Sequence, residues 1–317
     1  MVSSHSSRRS YVTNVLAKRI LILIAMTCAP AALQAQMVED GFMMGRGNFC
    51  TGFMLSSDRW DQYWEGTLKR SNGNIGTLST TSLAWFGNYG VTKRLNAIAM
   101  LPYVRTSASA GTERGLHGLQ DATLALKLDV LETAFTNRGS LSAIVVAAVG
   151  APVTHYGPDL LPFSIGLGSR SASGRFTLKF ETREGWFLHG TAAYTWRSNV
   201  TLDRASYFTN GQLYLSDQVA MPDVLDYTFS VGYTRKGLQV PISFSQQRTQ
   251  GGGDIRRQDM PFLSDRMNQS RIGAQVLWAL PPAKDLSLLA SAAYTLDGRN
   301  VGQSTTFTVG LLYLFHF

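Results

Sequence analysis

Residues 225–247 read LDYTFSVGYTRKGLQVPISFSQQ, and two interleaved patterns run through them. Leu225, Tyr227, Phe229, Val231 and Tyr233 alternate with Asp226, Thr228, Ser230, Gly232 and Thr234. After Arg235-Lys236-Gly237, Leu238, Val240, Ile242 and Phe244 alternate with Gln239, Ser243, Ser245 and Gln247. Successive side chains on a strand point to opposite faces, so each run predicts a strand with one greasy and one polar face. The short spacer predicts a tight hairpin. A soluble sandwich would alternate as well. Here the greasy side is large and continuous over about ten positions, the length of a strand that crosses a bilayer at a tilt. The other side carries Ser, Thr, Gln and charges, as an aqueous lumen requires.

Outward from this hairpin the same pattern predicts strands near 60–70, 77–88, 94–105, 118–130, 140–150, 170–182, 186–197, 224–235, 238–248, 268–279, 286–296 and 304–317. Connections alternate between brief ones, such as Arg183-Glu184-Gly185, and long polar ones, notably 106–117, 151–169, 198–223 and 249–267. The reading is an all-β chain: an antiparallel transmembrane β-barrel of about 12 strands over residues 60–317, with short periplasmic turns and long extracellular loops. Aromatic residues fall near strand ends. Trp60, Tyr63, Trp64, Trp85, Tyr89, Trp186 and Trp278 are expected at the periplasmic headgroup level, and Tyr103, Tyr194 and Trp196 at the other.

Composition agrees. Of 317 residues, 44% are hydrophobic and 30 are Gly, and no stretch beyond residue 36 is long and apolar enough for a spanning helix. Residues 1–35 have the layout of an export signal: basic Arg8, Arg9, Lys18 and Arg19, an apolar run at 20–26, and small residues ending at Ala35. Cys28 falls inside it, which leaves Cys50 without a disulfide partner. Without those four cations the chain has 25 basic and 21 acidic side chains. That small, scattered excess argues against nucleic acid as a partner. No cofactor or metal is expected. His5, His117, His155, His189 and His316 lack close metal spacing, and Gly251-Gly252-Gly253 lacks the Lys-Ser/Thr of a phosphate loop.

Tyr89-Gly90-Val91-Thr92, then Leu101-Pro102-Tyr103, then Gly118-Leu119-Gln120-Asp121 with Leu124 and Lys127 resemble an outer-membrane transporter family labelled putative meta-pathway of phenol degradation. The resemblance is clear over about residues 37–130. It implies a bacterial outer-membrane conduit that passively takes up small hydrophobic or aromatic molecules, similar in kind to the fatty-acid and aromatic-hydrocarbon channels. In that channel group an N-terminal segment fills the lumen as a hatch. Residues 36–59 are therefore expected to be such a hatch or a periplasmic rim segment, with Phe42, Met43, Met44, Phe49 and Met54 as the soft, apolar contacts. The final run Phe307, Val309, Leu311, Tyr313, Phe315 and Phe317 resembles the signature read by the barrel-assembly machinery.

Charges on the lipid face of a barrel cost about 2–4 kcal/mol at midplane. Alternation therefore assigns Glu65, Lys69, Lys127, Asp129, Lys179, Glu181, His189, Arg197, Asp226 and Arg271 to the lumen, paired across it as braces. Two other readings stand beside the conduit. One is a sealed structural or adhesive barrel. The other is a phospholipase-like enzyme, for which His189-Gly190-Thr191 offers only a loose echo of the His and Ser spacing.

Overall fold

In a computed structural model, the described residues are 37–317 apart from 114, 136–137, 257–258, 282 and 284. The expected signal segment, residues 1–35 with Cys28, lies outside them. Twelve long strands follow in order: β1 Asn48–Trp60, β2 Leu78–Gly90, β3 Leu95–Ala108, β4 Asp121–Phe135, β5 Gly139–Pro152, β6 Ser171–Thr182, β7 Trp186–Arg197, β8 Asp223–Arg235, β9 Leu238–Gln250, β10 Asn268–Ala279, β11 Leu286–Arg299 and β12 Thr305–His316. Each pairs antiparallel with its sequence neighbours. The ring closes because β1 pairs with both β2 and β12, from Asn48↔His316 to Arg59↔Thr305. Closure matters physically: hydrocarbon offers no water to an unpaired backbone group, so a spanning sheet cannot keep an edge.

The alternation read from sequence sets the two faces. On β12, Phe307, Val309, Leu311, Tyr313 and Phe315 are exposed, while Leu312 and Leu314 between them are buried. On β8, Tyr227, Phe229 and Val231 are exposed and Ser230 is buried. The exposed apolar band faces lipid. Both ends of the chain's ring, Asn48 and His316, lie at the periplasmic rim, so the connections that follow β2, β4, β6, β8 and β10 are periplasmic and brief. Lys236 and Gly237 take positive φ, 52° and 79°, which a two-residue hairpin demands. The longer connections that follow β1, β3, β5, β7 and β9 are external, and described residues of four of them meet around one cavity at the mouth. There Val200, Leu202, Tyr207, Val219, Met221, Phe262 and Leu263 form an apolar cluster of their own.

Three expectations are corrected. The first barrel strand starts at Asn48 and not near residue 60. Residues 60–70 instead end β1 and form a small external hairpin, Gln62–Glu65 against Leu68–Ser71, turned at Gly66 with φ 56°. A hairpin carries the same period of two as a spanning strand, so alternation alone does not separate them. Trp60, Tyr63 and Trp64 consequently sit at the external end, where Trp64 N–H donates to the Val301 carbonyl at 2.9 Å. Finally, the lumen is not polar throughout. Near the periplasmic end it is lined by Phe86, Ile98, Ile144, Val146, Leu277, Leu289, Leu312 and Leu314, which pack on residues 37–44.

Leu311 lies mid-strand on the lipid face. Leu311→Arg is expected to lower the unfolding free energy by about 2–4 kcal/mol, measured by urea unfolding from lipid vesicles.

Candidate functional site

The described chain begins inside the barrel. Residues 37–47 turn through the lumen before β1, and Asp40 organises the turn: its carboxylate accepts from Met37 N–H at 2.6 Å and Phe42 N–H at 3.0 Å. The barrel wall grips this turn from β4, β6 and β7. Lys127 on β4 is fully buried, and its Nζ donates to Asp40 Oδ1 at 2.6 Å and to the Met37 carbonyl at 2.8 Å. Phe42 is buried edge-on against Phe187 of β7, with ring centroids 5.1 Å apart. The Lys179 ammonium of β6 stands 4.3 Å from the Phe42 ring, a cation–π contact, and also pairs with Glu181 at 2.9 Å. At Gly41 the wall comes so close that a Cβ would lie 3.1 Å from His189 Nδ1 and from Lys179.

Two further ties fix the segment where it leaves the lumen. The Asn96 amide, turned so that both ends pair, accepts from Met44 N–H at 2.6 Å and donates to the Met44 carbonyl at 3.2 Å. Gly90, at the end of β2, lets the segment pass: a Cβ there would stand 2.0 Å from the Gly45 carbonyl oxygen. Gly47 then joins the rim, its N–H donating to Gly90 O at 2.8 Å and its carbonyl accepting from Phe317 N–H at 2.9 Å.

The segment does not fill the lumen. Opposite it a cavity of about 220 Å³ remains, bounded by Glu39, Asp40 and Phe42 on the segment and by β7–β11 on the wall. The wall contributes small or uncharged side chains, among them Ser230, Gln239, Ser243, Gly273, Gln275 and Ser291.

Of the residues assigned to the lumen from sequence, Lys127, Asp129, Lys179, Glu181, His189, Arg197, Asp226 and Arg271 lie on the inward-facing positions of β4, β6, β7, β8 and β10. Among the described residues, none of them forms an ion pair with another across the barrel. Lys127 pairs with the inner segment. Lys179 and Glu181 pair along one strand. Arg271 bonds the Thr306 hydroxyl, which donates to Asp58 at 2.6 Å. Glu65 and Lys69 are not in the lumen: both belong to the external hairpin, where Glu65 pairs with Arg70 at 2.7 Å. Of the hatch candidates, Phe42, Met43 and Met44 lie in the inner segment. Met54 faces the lumen from β1 and packs on the same cluster, whereas Phe49 of β1 stacks on outward-facing Phe315, with centroids 6.3 Å apart. Asp40 went unnoticed in the sequence. Its signal was the acidic pair Glu39-Asp40 in a short segment otherwise rich in Met and Gly. His189 and Thr191 face inward, away from lipid, and the Thr191 hydroxyl bonds that of Thr177 at 2.8 Å.

Above the lumen, the external loops enclose a second cavity of about 470 Å³, with Leu160, Phe163, Phe208, Met260 and Phe262 among its walls and Asp265 at its edge. Arg204 bridges this region, pairing with Asp159 at 2.9 Å and standing 5.6 Å from the Phe262 ring. Burial pushes the Asp265 carboxyl up to about 6, Asp259 and Asp254 add to the rise, and the Phe262 N–H donated to it opposes.

Two outcomes follow from these contacts. Asp40→Ala leaves the buried Lys127 ammonium without its partner, at about 3–5 kcal/mol, and is expected to free the inner segment and raise single-channel conductance. Lys127→Met, which removes the buried charge itself, is expected to be milder in thermal melts. The raised Asp265 value means that the closed loop favours the neutral acid. This contribution is whole below about pH 4 and lost as pH rises past about 6. Protease cleavage within residues 251–267 is expected to be several-fold faster at pH 7.5 than at pH 5, relative to Asp265→Asn, which lacks the titration.

Comparison with known proteins agrees with this geometry. No curated protein sequence matches the chain significantly. An outer membrane channel of Pseudomonas putida F1 shares the fold at a TM-score of 0.68 and 16% identity, over 88% of this chain and 100% of that one. The translocator domain of the autotransporter NalP of Neisseria meningitidis aligns at 0.46 and 9% identity, covering 98% of each chain. The TodX monoaromatic hydrocarbon channel aligns at 0.40 and 10% identity, over 86% of this chain and 91% of its own. Residues 71–311, well beyond the stretch whose motifs are recognisable by eye, match the family described as Putative MetA-pathway of phenol degradation, and the chain belongs to that family of outer-membrane β-barrels.

Proposed function

We propose that the protein is a passive outer-membrane conduit for small, hydrophobic or aromatic molecules, throttled by residues 37–47. The observation that carries this reading is the cavity of about 220 Å³ left between the inner segment and the wall of β7–β11. A cavity of roughly 150 Å³ with apolar walls already accepts benzene, so the space suits one aromatic ring. The family description, with its reference to phenol degradation, points to the same size and type of solute. The external cavity, lined by Leu160, Phe163, Phe208, Met260 and Phe262, offers the apolar surface on which such a molecule would first be captured. Movement is downhill and needs no chemistry. The barrel-assembly machinery would take up the chain through β12, whose outward row runs from Phe307 to Phe315.

A sealed structural or adhesive barrel is the second reading, favoured by the same inner segment and by the loops folded over the mouth. Planar-bilayer recording separates the two. A conduit is expected to show small discrete openings in the wild type and several-fold larger ones when residues 37–44 are deleted. Silence in both would sink the conduit and leave the sealed barrel.

A further inference from the structure

The lipid face is not ridged evenly. On β7 the outward positions Gly190 and Ala192 lie between Leu178 and Phe176 of β6 on one side and Phe229 and Tyr227 of β8 on the other. Two small residues between four large ones leave a groove of about 340 Å³, and a Cβ on Gly190 would meet nothing within 4 Å. Towards the external end Tyr194 and Trp196 continue the outward row of β7, with ring centroids 4.8 Å apart. Amphipathic rings of this kind mark the headgroup level. Beyond them the connections after β5 and β7 bound a polar recess of about 680 Å³, with His155, Arg170, Ser198 and Asn199 in its walls. Arg170 is exposed there, and its backbone N–H donates to Ser198 Oγ at 3.0 Å. Among the described residues its guanidinium has neither an ion pair nor a hydrogen bond. The one acid in the connection after β5, Asp159, is taken by Arg204 at 2.9 Å.

We infer that this face seats a lipid of the external leaflet with an anionic, phosphate-bearing headgroup, its phosphate on Arg170 in the recess and an acyl chain in the groove beside Gly190. The groove opens into hydrocarbon, so what fills it is an apolar chain and not water. The recess lies outside that layer and offers an unpartnered guanidinium, whose planar fork matches two phosphate oxygens. A zwitterionic headgroup would bring a second cation beside Arg170 and gain less. The spacing suits one molecule. From Ser198 to Ala192, at about 3.3 Å per residue and a tilt near 40°, the depth is about 15 Å, half of the hydrocarbon core.

Native mass spectrometry counts bound lipid on the full-length protein, stripped in detergent and then titrated with dimyristoyl phosphatidic acid or dimyristoyl phosphatidylcholine. Wild type is expected to retain one phosphatidic acid at about a tenth of the concentration that phosphatidylcholine needs. Arg170→Gln is expected to bring the two lipids close to parity. Gly190→Leu, which fills the groove, is expected to weaken both several-fold and leave the preference standing. Arg105→Gln removes another exposed arginine, on the outward row of β3, and is expected to change nothing. Equal retention of the two lipids by the wild type overturns the inference. So does a loss in Arg105→Gln as large as in Arg170→Gln, or a Gly190→Leu protein that binds like the wild type. Displacement of the lipid by millimolar inorganic phosphate would make Arg170 a site for a soluble anion. A dimer mass that disappears in Gly190→Leu would make the groove a contact between copies. Either result overturns the lipid assignment.

Discussion

A sheet in hydrocarbon has no water to satisfy its edges, and that single constraint organises this molecule. It forces β1 onto β12, so the first and last strands of the chain must meet in register, Asn48 beside His316. An even number of antiparallel strands then returns the chain to the rim where it began. The segment before β1 has only the rim or the lumen in which to lie. The periplasmic half of the lumen is lined by Leu277, Leu289, Leu312 and Leu314, which would be poorly solvated if left open. Residues 37–44 cover them. Plug and barrel are thus two answers to one problem, the burial of surface that water does not favour.

The plug is apolar where it meets those leucines and polar where it is anchored. Asp40 gathers two backbone N–H groups and the buried Lys127 ammonium onto one carboxylate. A buried ion pair is poor at adding stability but severe on any arrangement that breaks it. Lys127 therefore acts as a register mark, fixing the turn around Asp40 against β4. The path past it is left to the small side chains of β8–β11. Position, more than strength, is what the pair contributes to a conduit.

Eleven of the strands were legible because lipid on one side and a lumen on the other enforce a strict period of two. The hairpin of residues 225–247 shows it without interruption. β1 was missed for a physical reason. Its inward positions include Cys50 and Met54, apolar because they pack on the plug, so the contrast between its faces is weak. Its neighbour, the hairpin Gln62–Ser71, alternates more plainly while staying outside the membrane. Inward charges such as Lys127 and Lys179 could be placed by parity alone, but their partners could not. Pairing depends on which strands are adjacent and on a segment whose path through the lumen leaves no periodic trace. The Tyr89-Gly90-Val91-Thr92 motif carried the family resemblance without showing its reason: Gly90 is required by the passing carbonyl of Gly45.

The bonds that seal the ring also fasten the root of the plug. Gly47 accepts from Phe317 N–H on one side and donates to Gly90 on the other, so it sits at the seam itself. The root of the inner segment is thus set in place by the same pairing that closes the cylinder, so its starting point is fixed as soon as the first and last strands meet.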